Sequence, residues 1–410
     1  MGLLKTFEKR SSPENPKTDL NCPGSWLDNL FGGSHAAGVH VTPENAISAS
    51  TVFACVRLIS ETIASLPLVL YRTDGKTKEK ATDHPAYWLV HNEPNQAMSS
   101  FQWLEVEQAR LLLFGNSFSE IEKTAGEKLL SIWPLLPNST VPQIKKGIKT
   151  HKTRRVDGSS VELPDEKVLH IPGFGINGLT GLSPVMTNKG TIGLTLAAQK
   201  FGESLYQNGV RPSGALKHPG KLSVEAQNNL RNSLNANFSG ENAGKAMILA
   251  EGMDWVQLTM NLNDAQFLET RKFQVAEVAR IFNVPPHMIA DLEKATFSNI
   301  EQQSLEFVTY TIRSWLVRWE RELNRKLLRT NERQTHFFKF LVDGLLRGDV
   351  KTRFEAYNLG RNMGIYTTND ILEKEDMNPV PHGDDDWILP LNVGLANAVD
   401  QQKPVDPNAN

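Results

Sequence analysis

Two helical runs joined by a double proline, between Asn263 and Leu328, constrain this chain more than any other stretch. Asn263 can cap the first run with Gln266 reaching back, and Phe267, Leu268, Val275, Val278, Ala279 and Phe282 recur near helical spacing. Pro285 and Pro286 are expected to end it, because the residue before a proline leaves the α region and proline has no N–H to donate. His287 to Phe297 holds no sustained period and reads as a loop. Ser298 with Glu301 forms a capping box for the second run, whose apolar positions Leu305, Val308, Ile312, Leu316, Trp319, Leu323 and Leu327 follow steps of three and four. At 1.5 Å per residue such a helix would reach roughly 45 Å, more than a compact domain needs. It is either a strut in an assembled object or a long core helix, and the pattern alone allows both.

A chain of 410 residues with 40% hydrophobic content can bury a real core and favours two or three domains. Forty-four basic against forty-six acidic residues, a net charge of -2, carry no global signature for gripping nucleic acid, although DNA as a passing cargo stays open. Cys22 and Cys55 stand far apart in no ligand spacing, which predicts a reducing compartment without a disulfide framework or zinc site. No apolar run approaches the length of a membrane span, since Ile63 to Tyr71 is broken by Ser65 and Pro67. Lys5, Glu8, Lys9 and Arg10 stand where a signal peptide needs an apolar core.

Residues 1 to 43 read as a mobile arm. Val52, Cys55, Val56, Ile59 and Ile63 share one helical face, and Pro67 then hands over to a strand from Leu68, closed by an Asp74-Gly75 turn. A helix over Phe101 to Leu113, capped by Ser99 or Ser100, precedes a strand at Ser117 to Glu122. Leu129 to Ile171 reads as short strands with a hairpin signal at Asp157-Gly158, giving an α+β domain. A helix carrying Ile192, Leu196, Phe201 and Leu205 runs from Pro184 to Gln207. A compact insert over Gly209 to Asn261 follows, with strands near Ala215, Ala246 to Leu249 and Trp255 to Leu258 and a helix started by Ser223. After the long helix come a strand at His336 to Val342, helices at Val350 to Met363 and Thr368 to Glu375, and a loose tail past Val393.

The candidate chemical motifs are weak. Gly173, Gly175 and Gly178 spell a dinucleotide fingerprint, but no helix opens at the third glycine and no acidic residue ends a second strand about 20 residues on. Gly220-Lys221 is followed by Leu222, so there is no phosphate loop of a nucleoside triphosphatase. Lys145, Lys146, Lys149, Lys152, Arg154 and Arg155 could form a phosphate-binding ribbon or a β edge blunted by lysines. His382 with Asp384, Asp385 and Asp386 could hold a divalent ion or simply be solvated. His170 and His287 lack a Ser or Cys partner in any recognisable motif. The helix pair around Gly364 to Tyr366 suggests a helix-turn-helix, yet Asp370, Glu373, Glu375 and Asp376 would repel DNA. No catalytic constellation and no cofactor are expected.

Across nearly the whole chain, ordered blocks carry a family resemblance. They include Val52-Phe53-Ala54-Cys55-Val56-Arg57, Leu66-Pro67-Leu68, Asp83-His84-Pro85, Glu93-Pro94-Asn95, Gly115-Asn116-Ser117 and Leu169-His170-Ile171. Further on stand Gly181-Leu182-Ser183-Pro184, Pro212-Ser213-Gly214, Val284-Pro285-Pro286, Ser298-Asn299-Ile300-Glu301-Gln302 and Leu345-Leu346-Arg347-Gly348-Asp349. In these the chain resembles the portal, or head-to-tail connector, proteins of tailed bacteriophages, of the smaller type found in long-tailed phages.

That resemblance implies a portal-type fold and a homo-oligomeric ring, dodecameric in the virion, at one capsid vertex. Double-stranded DNA would pass through it without sequence specificity, in packaging and in ejection. Terminase large subunit, head-tail adaptor, major capsid protein and a scaffold would be partners, with assembly in the host cytoplasm, no membrane, and no enzyme activity. It implies a wing over 44–183 with the strand of 336–342, stem helices at 184–208 and 263–285, a clip at 209–262, a tunnel loop at 286–298, a long wing helix from 299 and a crown at 343–391. Site residues implied are Asp291, Glu293, Lys294 and Thr296 facing DNA, Gln266, Glu269, Arg271, Lys272 and Glu277 in the stem, and Lys217, Lys221, Asn242 and Lys245 in the clip. Alternatives are a packaging protein that binds DNA without forming a ring, and a metal-dependent enzyme using the Asp384–Asp386 cluster.

Overall fold

The computed structural model describes residues 39–75, 77–154, 158–207, 214–217, 220, 223–229, 253–257, 264–290, 305–342, 350–375, 377–384 and 386. The chain divides into two compact units between Leu341 and Val342.

The first unit opens with α1 (Pro43–Ala46) and α2 (Ser50–Ala64), and Val52, Cys55, Val56, Ile59 and Ile63 are buried as their spacing requires. Next come β1 (Leu68–Thr73), a turn in which Gly75 takes φ 95°, and β2 (Lys78–Lys80). Then comes α3 (Pro85–His91), where the His84 ring accepts from Ala86 N and Pro85 supplies the preset φ of a first helical residue. Helix α4 (Ser100–Phe114) is capped by the reciprocal bonds of Ser99 and Gln102 and closed by Gly115. Strands β3 (Asn116–Lys123), β4 (Leu129–Leu135), β5 (Val141–Lys145), β6 (Ile148–Arg154), β7 (Ser160–Pro164) and β8 (Val168–Pro172) form two antiparallel sheets, ordered β4-β3-β8 and β5-β6-β7.

Helices α5 (Pro184–Thr187) and α6 (Lys189–Gln207) replace the single expected helix, broken at Asn188. Phe201 is 45% exposed, so α6 does not keep it in a core. In the insert, β9 (Gly214–Lys217) pairs with β10 (Asp254–Gln257), and 224–229 is helical; the strand expected at 246–249 lies outside the described residues. The rods follow as α7 (Asp264–Phe282), a π-helical turn (Phe307–Ile312) and α8 (Arg313–Leu327), then β11 (His336–Phe340).

Strand β11 returns across the chain to pair with β1, Leu68 opposite Phe340, and makes the edge of the sheet β11-β1-β2. An edge strand leaves a row of N–H groups without a ladder. Here α8 supplies acceptors: Phe338 N donates to Asn324 Oδ1 at 2.8 Å and Phe340 N to Glu320 Oε1 at 3.0 Å. The centre of the unit is Trp103 against Trp319, fully buried with ring centroids 5.3 Å apart, their N–H groups donating to Ser119 Oγ and Gln108 Oε1.

The glycines of 173–181 serve close packing of backbone on backbone. A Cβ on Gly181 would stand 2.1 Å from Gly115 O, and one on Gly175 2.1 Å from Thr180 O. Residues 179–183 stay irregular up to α5.

The basic hairpin region does not gather its cations on one surface. Alternation along β6 puts Lys149 on the opposite face from Lys152 and Arg154, Lys145 is paired with Glu162 at 2.6 Å, and Arg155 lies outside the described residues. Lys149 turns inward and donates to His170 Nδ1 at 3.1 Å, which leaves Nε2–H to donate to Asn116 Oδ1 at 3.1 Å. His170 stacks on Phe118 and meets His151 edge-on, while Asp165 accepts from the buried Lys326 ammonium at 2.6 Å. Burial pushes the Asp165 carboxyl up, but Lys326, Lys149 and Arg325 more than offset this and hold it below the usual carboxylate range.

The two histidines make the unit acid-sensitive. Burial, helped by Lys149, pulls His151 from 6.5 to about 4 against the opposing pull of Asp165, and pulls His170 well below its usual value. Between pH 6.5 and about 4 the unfolded chain therefore takes up protons that folded His151 refuses, so stability falls as pH drops through that window. Glu107, raised by burial to about 7 despite Arg110 and Ser117, and Glu320, also raised by burial, work in the opposite sense. From pH 7 to pH 5 the His151 contribution is about 2 kcal/mol. His151→Leu is expected to remove that much of the difference in unfolding free energy between the two pH values, measured by urea titration; an unchanged pH dependence would remove His151 from the account.

In the second unit, α9 (Val350–Asn362) and α10 (Thr368–Lys374) pack through Glu375, which accepts from Arg353 and from Tyr357 at 2.8 Å. Asp386 accepts from Thr368 N and Arg361, and Asp385 lies outside the described residues. Among the described residues no group of His, Cys, Asp and Glu is placed to hold a metal ion, and no helix is long and apolar enough to cross a membrane.

Candidate functional site: the helix pair and the clamp at its base

Helices α6 and α7 pack side by side, with the insert between them in sequence. Burial runs along the pair as a gradient. Ile192 at the start of α6, and Gln274, Val278, Ala279 and Phe282 in the latter half of α7, are buried, and α7 packs beside α2. Toward the insert, Phe201 on α6 and Glu269, Lys272 and Phe273 on α7 are exposed, Phe273 by 63%. The pair thus stands out from the core at its insert end.

Of the other stem candidates, Arg271 and Glu277 are half-buried, Glu277 bonds Arg280 one turn on, and the side chain of Gln266 lies outside what is described. In the insert Lys217 is exposed at the end of β9; Lys221, Asn242 and Lys245 lie outside the described residues, as do Asp291, Glu293, Lys294 and Thr296.

The stop of α7 is not the double proline. Asn283 takes the left-handed conformation at φ 54°, its N–H donates to Arg280 O, and Val284 N donates back to Ala279 O at 2.9 Å, a Schellman close. Pro285 and Pro286 only follow it, opening a 3₁₀ turn that ends at Ala290. The Asn283 side chain then clamps the second rod: Nδ2 donates to Thr311 Oγ1 at 3.1 Å, and Thr311 Oγ1 donates to Asn283 O. Thr311 sits in the π turn, where Arg313 N reaches Val308 O. A π turn adds one residue per turn, so the buried face steps back from Ile312 to Phe307, five residues, where uniform steps of three and four predicted Val308. Phe307 is 4% exposed and Leu305, assigned to the core by the sequence pattern, is 46% exposed. The clamp thus ties the residue that closes α7 to the π turn that opens the second rod.

The sequence model of the phage portal protein family matches residues 50–376. The chain belongs to the phage portal protein family. A probable portal protein of Streptomyces phage phiC31 is 36% identical over 380 residues, covering 89% of this chain and 82% of the relative. The portal protein of Enterobacteria phage HK97 is 31% identical over 353 residues, 84% and 82% of the two chains. The fold is that of an HK97-family phage portal protein from Corynebacterium diphtheriae, with a TM-score of 0.55, 20% identity and coverage of 74% of this chain and 96% of that one. It is also similar to a chain in the neck of a native gene transfer agent particle computed with C12 symmetry, at TM-score 0.54, 21% identity and coverage of 87% and 100%. Portal-family membership gives the helix pair and its clamp a candidate role that no catalytic constellation offers.

Two residues at this site escaped the sequence reading. Gln274 is buried inside α7, where a polar residue among charged ones gives no sign of its burial. Thr311 was legible only as a gap in the apolar steps, and the uneven spacing from Phe307 to Ile312 was the available signal.

Proposed function

We propose that copies of this chain assemble into a ring at one vertex of a phage capsid and act as the conduit through which double-stranded DNA is packaged and ejected. The observation that carries this reading is portal-family membership over most of the chain, joined to a fold shared with a neck chain whose particle was computed with C12 symmetry. The ring would be dodecameric in the virion, with terminase large subunit and then a head-tail adaptor docking at the insert, and capsid protein around the wing. ATP hydrolysis would belong to terminase, and this chain would do no chemistry.

In this assignment α6 and α7 are the stem, 209–262 the clip, 286–298 the tunnel loop and 343–391 the crown. The burial gradient supports it, because a stem must leave the body of its subunit and face other copies. The clamp supports it too, since a loop touching moving DNA needs fixed ends. Asp291, Glu293, Lys294 and Thr296 would face the DNA, and Lys294 would make the transient phosphate contact.

A conduit must release what it passes, and each phosphate neutralised by Lys or Arg adds salt-dependent affinity. The net charge of -2 fits a bore that does not grip. The purified protein is therefore expected to bind duplex DNA weakly, without sequence preference. Tight binding with a steep loss of affinity between about 50 and 200 mM salt, measured by fluorescence anisotropy, would instead mark a packaging protein that holds DNA.

A further inference from the structure

Strand β3 ends in a knob on one side and a socket on the other. Where β3 begins beside the last residue of β8, the loop 173–181 holds Phe174 and Ile176 70% and 77% exposed. The loop is tied down. Asn116 exchanges two bonds with Gly181 at 2.8 Å, Leu182 N donates to Phe174 O at 2.7 Å, and Asn177 Oδ1 accepts from the amides of Leu179 and Thr180. With the glycine contacts closing it from behind, neither apolar side chain can fold inward. Large apolar groups held in water on a fixed loop offer a surface that contact with another protein would bury favourably.

Where β3 turns into β4, a cavity of ≈ 340 Å³ opens between that turn, the start of α3 and the end of α8. Pro85, Leu129, Leu327 and Leu328 give it apolar walls. Most of its charges are already satisfied: Lys123 pairs with Glu127 at 3.0 Å, Lys326 with Asp165 at 2.6 Å, and Glu332 accepts from the Arg329 amide at 2.8 Å. That leaves Lys128 and Arg329 at the rim and argues against an anion trap. A dry cavity of roughly 150 Å³ admits benzene, so there is room here for a phenyl ring with a branched aliphatic group beside it.

We propose that the Phe174–Ile176 loop of one copy seats in this cavity on the next copy around the ring. The inference rests on the ring assigned above. A rotational ring needs a head-to-tail contact, in which two different and complementary patches of one subunit meet on neighbours. The two ends of β3 supply such a pair. At about 3.4 Å per residue the strand holds them roughly 27 Å apart, so the loop cannot fill the cavity of its own copy.

The test uses the full chain. Phe174→Ser/Ile176→Ser is expected to leave the melting temperature unchanged, because both side chains are exposed, and to raise the concentration at which rings form at least tenfold by mass photometry. A benzophenone side chain at position 174 is expected to cross-link to 123–129 or 326–332 of a second copy. Unchanged ring assembly, or a cross-link to any other region, including residues 1–38, overturns the pairing while leaving the ring standing. A wild-type chain that forms no ring at any concentration contradicts the ring itself and takes the pairing with it.

Discussion

Gly115→Ala is expected to destabilise the first unit by at least about 3 kcal/mol, enough to leave much of the protein insoluble or melting far below the wild type. Gly115 closes α4 at φ 76°, a conformation that costs an L-residue about 1 kcal/mol. The larger cost is steric. An added Cβ would stand 2.2 Å from Leu182 O and 2.6 Å from Ser183 N, both backbone atoms that cannot rotate away. The loop 173–183 would have to move as a body, breaking the bond from Gly173 N to Gly115 O. Gly147→Ala is the control: its φ is 80° and no atom lies within 4 Å of the added Cβ, so only the conformational cost of about 1 kcal/mol applies. Equal losses in the two variants, by denaturant titration, would show that backbone crowding at Gly115 is not the cause.

Trp319→Ala should cost about 3–5 kcal/mol, because it removes a fully buried indole and leaves a cavity against Trp103. Gln108 is buried with its Nε2 already unpartnered, so losing the indole donor at 2.9 Å strands its Oε1 as well. Trp319→Phe separates the two effects: it keeps most of the packing and loses the donor, and is expected to cost about 1–3 kcal/mol. If Phe proved as damaging as Ala, packing would not be the main role of this side chain. The consequence reaches the site, since Trp319 anchors the same rod whose first turn is clamped by Asn283.

Much of this fold was legible where a local rule and burial agree. The Val52 to Ile63 face is buried residue for residue, and of the two expected caps Ser99 is the one that opens α4, in a capping box with Gln102. The reading failed where a partner distant in sequence decides the outcome. His170 looked solitary because Lys149 and Asn116 reach it only through the folding of three strands. The cations of the hairpin region looked like one patch because the alternation of β6 sends Lys149 inward. The π turn broke the regular steps of the long rod and moved burial from Val308 to Phe307. Pro285 and Pro286 looked like the stop because they are visible in sequence, whereas Asn283 stops α7 through a backbone conformation that several residue types can adopt. At the candidate site, the rods were legible from periodicity, but neither the clamp between them nor the exposed end of the pair carries any periodic signal.

The central claim is that the two rods serve an annulus of identical copies and are not the private interior of one subunit. Electron microscopy of the purified protein at rising concentration tests it most directly. The account predicts closed, rotationally symmetric rings with an axial hole, and the α6–α7 pair of every copy set around it. A compact monomer or a two-fold dimer at the highest concentration, with both rods wrapped inside one molecule, would contradict it.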